Sequence, residues 1–143
     1  MNIVLGVTGS IAAYKAADII SKLKKLGHDI DVILTESGSR IITPITLQTL
    51  SKNKVYMDMF EEIDHKEVKH ISLADKADVV LIAPAMNTNM YENPIVQGNM
   101  EKLKGLGYRF IEPKESMLAC GVTGKGALAD VDHIVEIIEG SIE

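Results

Sequence analysis

The sequence predicts an α/β fold in which an open parallel sheet carries helices on both faces. Three observations carry that expectation. Short continuous apolar runs alternate with segments of helical period, as buried parallel strands alternate with the helices that cover them. The first run ends in a glycine-bearing turn, Gly6-Val7-Thr8-Gly9-Ser10-Ile11, that opens onto a helical pattern. The chain of 143 residues, 46% hydrophobic and 24% charged, is too apolar for disorder and long enough to bury a core without disulfides. Residues 1–143 therefore read as one domain.

Ile3, Val4, Leu5 and Val7 form the first run and suit a strand buried on both faces. Ala12, Ala16, Ile19, Ile20, Leu23 and Leu26 then recur at helical spacing. Lys22, Lys24 and Lys25 fall in the last turn, and Gly27 stands at the C-cap. Ile30, Val32, Ile33 and Leu34 give a second strand, which makes a right-handed strand–helix–strand unit. Thr35 to Ser39 reads as a polar loop, Arg40 to Leu50 as helical or irregular with a break near Pro44, and Val55-Tyr56 as a minor strand or loop. Ser72 and Asp75 are spaced to cap a short helix before a buried strand at Val79 to Ile82. Pro84 to Pro94 reads as a methionine-rich loop, Ile95 to Leu106 as a helix closing on Gly107, Tyr108 to Ile111 as a strand, and Val131 to Ile138 as a last helix.

The net charge of -5 argues against a nucleic-acid or anionic-membrane partner and leaves small molecules or proteins. The single cysteine, Cys120, rules out an intramolecular disulfide and suits a reducing compartment. The longest apolar stretch, Val79 to Met86, is interrupted by Pro84 and too short for a bilayer, and the N-terminus lacks the basic region of a signal peptide; a cytoplasmic protein is expected.

In a sheet of this kind ligands bind beyond the carboxyl ends of the strands. The candidates collect there. Amides of Gly9, Ser10 and Ile11 at a helix N-terminus, with the Ser10 hydroxyl, make an anion site fit for a phosphate; the same pattern also describes a tight turn with Ser10 as an ordinary N-cap. Thr35 and Ser37 suit a mononucleotide, whereas Glu36 lies near the place of a ribose-binding acid in a dinucleotide fold. His70 precedes a short helix, whose positive end favours the neutral imidazole and hence a base. Cys120 sits in Leu118-Ala119-Cys120-Gly121-Val122-Thr123-Gly124-Lys125-Gly126, where three glycines in six residues suggest a flexible flap. No metal-ligand spacing joins the histidines to Cys120.

Four segments, in order, resemble the homo-oligomeric flavin-containing cysteine decarboxylase family. Gly6 to Lys15 looks like its flavin-phosphate turn and His70-Ile71-Ser72-Leu73-Ala74 like its active-site histidine segment. Pro84-Ala85-Met86-Asn87-Thr88-Asn89-Met90-Tyr91 resembles its substrate motif, with tyrosine where many members have tryptophan, and Leu118-Ala119-Cys120-Gly121 its recognition flap. The resemblance implies a three-layer, Rossmann-like (flavodoxin-like) flavoprotein domain. It assigns FMN to Gly9, Ser10, Ile11, Thr35, Ser37 and Ala85, substrate binding to Met86, Asn87, Met90, Ala119 and Cys120, and catalysis to His70, Asn87 and Cys120. The implied reaction is FMN-dependent decarboxylation of phosphopantothenoylcysteine to phosphopantetheine in coenzyme A biosynthesis. Flavin oxidation gives a thioaldehyde, carbon dioxide leaves into that electron sink, and the ene-thiol is reduced.

His70 would be the base, Asn87 would orient the carboxylate, and Cys120 would donate the last proton. The implied partners are the small-molecule substrate, further copies of the chain in a trimer or multiple of trimers, and a separate phosphopantothenoylcysteine synthetase. A peptidyl-cysteine decarboxylase and a non-catalytic FMN-binding or regulatory flavoprotein are the alternatives. The chain departs from the family at Ala127-Leu128, where arginine and methionine are usual. It departs again at Asp78 to Pro84, where one strand runs directly into Pro84-Ala85-Met86-Asn87 in place of two strands separated by a loop and helices. That second departure reads as an internal deletion between two similar Ile-Ala-Pro-Ala stretches.

Overall fold

The computed structural model describes residues 2–57, 80–117, 121 and 123–141. The chain divides into two compact units, Met1–Asp78 and Val79–Glu143.

In the first unit, β-branched and leucine residues set side by side build a parallel sheet. Strand β1 (Asn2–Val7) runs parallel to β2 (Asp29–Leu34) with Val7 opposite Leu34, and β2 runs parallel to β3 (Val55–Tyr56). A 3₁₀ turn at Ile11–Lys15 leads into α1 (Ala16–Lys25), so the crossover between β1 and β2 is the expected helix. Gly27 follows it at φ +88°, a left-handed conformation that glycine adopts without penalty. Ile20 and Leu23 from α1, Ile30, Val32 and Leu34 from β2, and Leu47 from α3 (Pro44–Ser51) are fully buried. Truncating any of the leucines to alanine costs about 2–5 kcal/mol.

β1 is less buried than its apolar run implies: Ile3, Val4 and Leu5 are half-buried and only Val7 is buried. β2 holds one of its edges, and among the described residues no strand pairs with the other. The loop expected at Thr35 to Ser39 contains a one-turn helix, α2 (Glu36–Ser39), because Thr35 caps it. Pro44 begins α3 rather than breaking a helix, since its missing N–H falls where a first-turn donor has no partner anyway.

In the second unit β4 (Leu81–Ile82) runs parallel to β5 (Arg109–Phe110). Between them lie α4 (Thr88–Tyr91) and α5 (Pro94–Gly105). The expected loop from Pro84 to Pro94 thus contains a helical turn, which Asn87 caps. Strands β6 (Lys114–Met117) and β7 (Thr123–Ala127) form an antiparallel hairpin with a bulge at Lys114/Glu115, and α6 (Val131–Glu139) closes the unit. Gly124-Lys125-Gly126 therefore belongs to a packed strand, not to a flexible flap. A Cβ on Gly124 would overlap Thr88, and one on Gly126 would overlap the Met86 carbonyl. These glycines let β7 approach the Met86–Thr88 backbone. Among the described residues no helix is long and apolar enough to cross a membrane.

Candidate functional site

The candidate residues fall in both units, and each group is built by local chemistry. In the first unit the parallel pairing of β1 with β2 brings their carboxyl ends, and the loops beyond them, side by side. The Thr35 N–H donates to the Val7 carbonyl at 3.0 Å. Gly9 then passes so close to the second loop that an added Cβ would lie 2.5 Å from the Ser37 Cβ. Gly9 has no left-handed φ, so close approach is what requires glycine there.

Ser10 and Thr35 both act as caps. Ser10 Oγ accepts from the Ala12 N–H at 3.3 Å, and Thr35 Oγ1 accepts from the Gly38 N–H at 3.1 Å. The Ser10 N–H turns back to the Thr8 carbonyl at 2.9 Å. The N-cap reading of Ser10 thus holds, and the anion reading draws on Gly9, Ile11 and the hydroxyls instead of the Ser10 amide. A hydroxyl can both accept and donate, so capping and anion binding use different parts of the same group. Ile11 is 64% exposed beside this turn and Ser37 is exposed. Glu36 pairs with Arg40 at 3.1 Å.

In the second unit β4 delivers Pro84, buried, and then Ala85, Met86 and Asn87, half-buried. The Met86 N–H donates to the Gly126 carbonyl at 2.8 Å, which ties this segment to β7. Asn87 Oδ1 accepts from the Asn89 N–H at 2.8 Å as the cap of α4. Capping fixes the plane of the carboxamide, whose NH₂ is the half able to donate to a carboxylate. Met90 is 59% exposed, whereas the next residue, Tyr91, is buried. His70, Ala119 and Cys120 lie outside the described residues.

One cluster escaped the sequence reading. The Tyr91 hydroxyl and the Lys125 ammonium both donate to Glu112 Oε2, each at 3.0 Å. Lys125, ahead of Tyr91, holds the Glu112 carboxyl below the usual range, while burial, aided by Glu112, pushes the Tyr91 phenol up. The period-two glycines at 124 and 126 were the available signal for β7; nothing local to Glu112 marks its partners.

A glycine-lined turn beside two capping hydroxyls offers anion-binding chemistry beyond the carboxyl ends of a parallel sheet, and an asparagine-capped turn sewn to a hairpin offers amide donors, both in an α/β protein. The chain belongs to the flavoprotein family, whose sequence profile it matches over residues 1–85 and again over 80–143. Among curated proteins it is 44% identical to the probable phosphopantothenoylcysteine decarboxylase of Streptococcus mutans, covering 96% of this chain and 97% of that protein. It is 38% identical to the coenzyme A biosynthesis bifunctional protein CoaBC of Bacillus subtilis, spanning 96% of this chain and 42% of that protein.

Two solved structures share the fold. A cysteine-to-serine mutant of PPC decarboxylase complexed with pantothenoylaminoethenethiol matches with a TM-score of 0.80 at 22% identity, over 98% of this chain and 97% of that one. The FMN binding protein AtHal3 matches with a TM-score of 0.77 at 23% identity, over 99% and 96%. Residues 80–85 are matched twice by the family profile. The Streptococcus alignment runs to 173 positions against 143 residues here, so at least 30 of its positions hold a residue of the relative alone.

Proposed function

We propose that this chain binds FMN and decarboxylates phosphopantothenoylcysteine to phosphopantetheine in coenzyme A biosynthesis. The observation that carries the reading is the 44% identity with the Streptococcus decarboxylase across nearly the whole of both chains. The Gly9–Ser37 approach and the Asn87-capped turn supply groups of the right chemistry. Gly9, Ser10, Ile11, Thr35 and Ser37 hold the cofactor's phosphate and ribityl end, and Ala85 its ring. Met86, Asn87, Met90, Ala119 and Cys120 receive the substrate.

Bound FMN would supply the electron sink that a cysteine carboxylate lacks, as a two-electron acceptor and donor toward its Cα–Cβ–S end. Asn87 orients the carboxylate through its amide donors. His70 acts as base or electrostatic partner during oxidation and decarboxylation. Cys120 donates the proton needed when the carbon–carbon double bond of the ene-thiol is reduced.

The doubly matched stretch and the long alignment support an internal deletion, in which Val80 to Ala85 stands where the family has two strands. β4 runs on into Met86-Asn87 and pairs with β5, so it keeps the second of those two roles. That shortening is the specific observation favouring a second reading, a flavin-binding protein without turnover. The chain further acts as one domain, in a homo-oligomer of trimer type, in the cytoplasm, with phosphopantothenoylcysteine supplied by a separate synthetase.

The test is the visible spectrum of the purified protein followed by an assay with phosphopantothenoylcysteine. Oxidised-flavin bands with release of carbon dioxide and phosphopantetheine are expected. Colour without turnover supports the second reading, and a protein that stays colourless with added FMN overturns both.

A further inference from the structure

Two side chains outside the proposed catalytic set converge on one carboxylate oxygen of a third. Glu112 Oε2 receives the Tyr91 hydroxyl and the Lys125 ammonium, each at 3.0 Å, and the same ammonium lies 5.5 Å from the centre of the Tyr91 ring. The other oxygen, Oε1, faces Lys104 at 3.9 Å. The two donors and their acceptor come from separate elements: Tyr91 ends α4, Lys125 sits at the centre of β7, and the acceptor Glu112 follows β5.

What each donor is attached to gives the cluster its meaning. α4 is a single turn, and the Tyr91 N–H donates to the Asn87 carbonyl at 2.9 Å, so a fixed Tyr91 fixes the backbone of Asn87. Lys125 stands between Gly124, packed on Thr88, and Gly126, packed on Met86. An exposed ion pair alone contributes little, but here one ionised oxygen takes two donors, one of them on a buried ring.

We propose that Glu112 is a positioning residue: by holding Tyr91 and Lys125 on one oxygen, it locks the Asn87 turn against β7. The role of Asn87 rests on the function proposed above; the lock itself does not.

The experiment therefore reads both. FMN-loaded wild type is compared with Tyr91→Phe, which keeps the ring, with Glu112→Gln, Lys125→Met and their double variant, and with the charge swap Glu112→Lys/Lys125→Glu. Amide hydrogen exchange is followed in residues 86–91 and 123–127, and KM and kcat are measured for phosphopantothenoylcysteine. Each single variant is expected to speed exchange in both segments about fivefold, the loss of roughly 1 kcal/mol. The double variant adds little to either single, and the swap recovers most of the protection. KM rises by a similar factor, kcat changes less than about twofold, and the flavin spectrum is unaltered.

Additive losses, faster exchange in one segment only, or no change in exchange would each overturn the lock. Coupled exchange with an unchanged KM would overturn the positioning of Asn87. Coupled exchange in a wild type without turnover would support the lock while removing the proposed activity.

Discussion

Gly9→Ala is the sharpest probe of the cofactor turn, because the structure sets its cost. The new Cβ would lie 2.5 Å from the Ser37 Cβ and 3.4 Å from the Ser37 carbonyl carbon. Carbon atoms rest at about 3.5–4.0 Å, so the loops beyond β1 and β2 must part by about 1 Å. Ser37 cannot yield alone. Its neighbour Gly38 is buried, with its own Cβ position 3.0 Å from the Val7 carbonyl, and the Thr35 N–H already holds that carbonyl. Overpacking of this kind costs about 1–3 kcal/mol. For a chain of this size that lowers Tm by roughly 4–12 °C. Gly6→Ala is the control, since nothing lies within 4 Å of a Cβ there. The assays are thermal unfolding of the FMN-free protein and fluorescence titration with FMN. Gly9→Ala should lose stability and bind FMN at least tenfold more weakly, while Gly6→Ala stays within about 0.5 kcal/mol of wild type. FMN affinity unchanged in Gly9→Ala would show that the phosphate does not sit in this turn.

Gly126→Ala meets two obstacles at once, a φ of +142° and the Met86 carbonyl, and should destabilise the second unit by about 2 kcal/mol or more, read from urea midpoints. The Lys125 ammonium and then the Tyr91 hydroxyl lower the carboxyl of Glu112, so its contribution is present above the ordinary carboxylate pKa and disappears as pH falls through the lowered folded value. Urea midpoints of wild type and Glu112→Gln should therefore differ at neutral pH and converge on the acid side of about pH 4; a difference that persists there would refute the ion-pair account. Cys120→Ser should release carbon dioxide yet yield no phosphopantetheine, measured as the ratio of the two products, and a ratio of one would remove Cys120 from the final protonation.

The first unit was legible because local signals agreed there. The apolar run before Gly6, the lysines before Gly27 and the period of α1 each point to the same strand–helix–strand unit. Legibility failed where partners distant in sequence decide. β7 reads as a loose glycine-rich loop until Met86 and Thr88 are set beside it, because a glycine chosen for close approach looks the same in sequence as one chosen for freedom. α2 and α4 are single turns that depend on Thr35 and Asn87 as caps, too short for any period to mark. Tyr91, Glu112 and Lys125 span 35 residues of sequence, and no pattern within one element couples them.

The stretch matched twice by the family profile and the two capped turns are separable in physical terms. The contacts described for the Gly9 turn come from residues 7–38, and those described for the Asn87 turn from residues 81–127. Both ranges lie wholly inside the two stretches matched by the family profile. These hydrogen bonds and close approaches form among residues that this chain has. The doubly matched stretch bears on something else. In a parallel sheet each interior strand satisfies donors and acceptors on both edges, and a single stretch that stands for two strands can fill one place in that order. β4 fills the place beside β5, with Arg109 and Ile111 donating to Val80 and Ile82 at 3.1 and 2.8 Å.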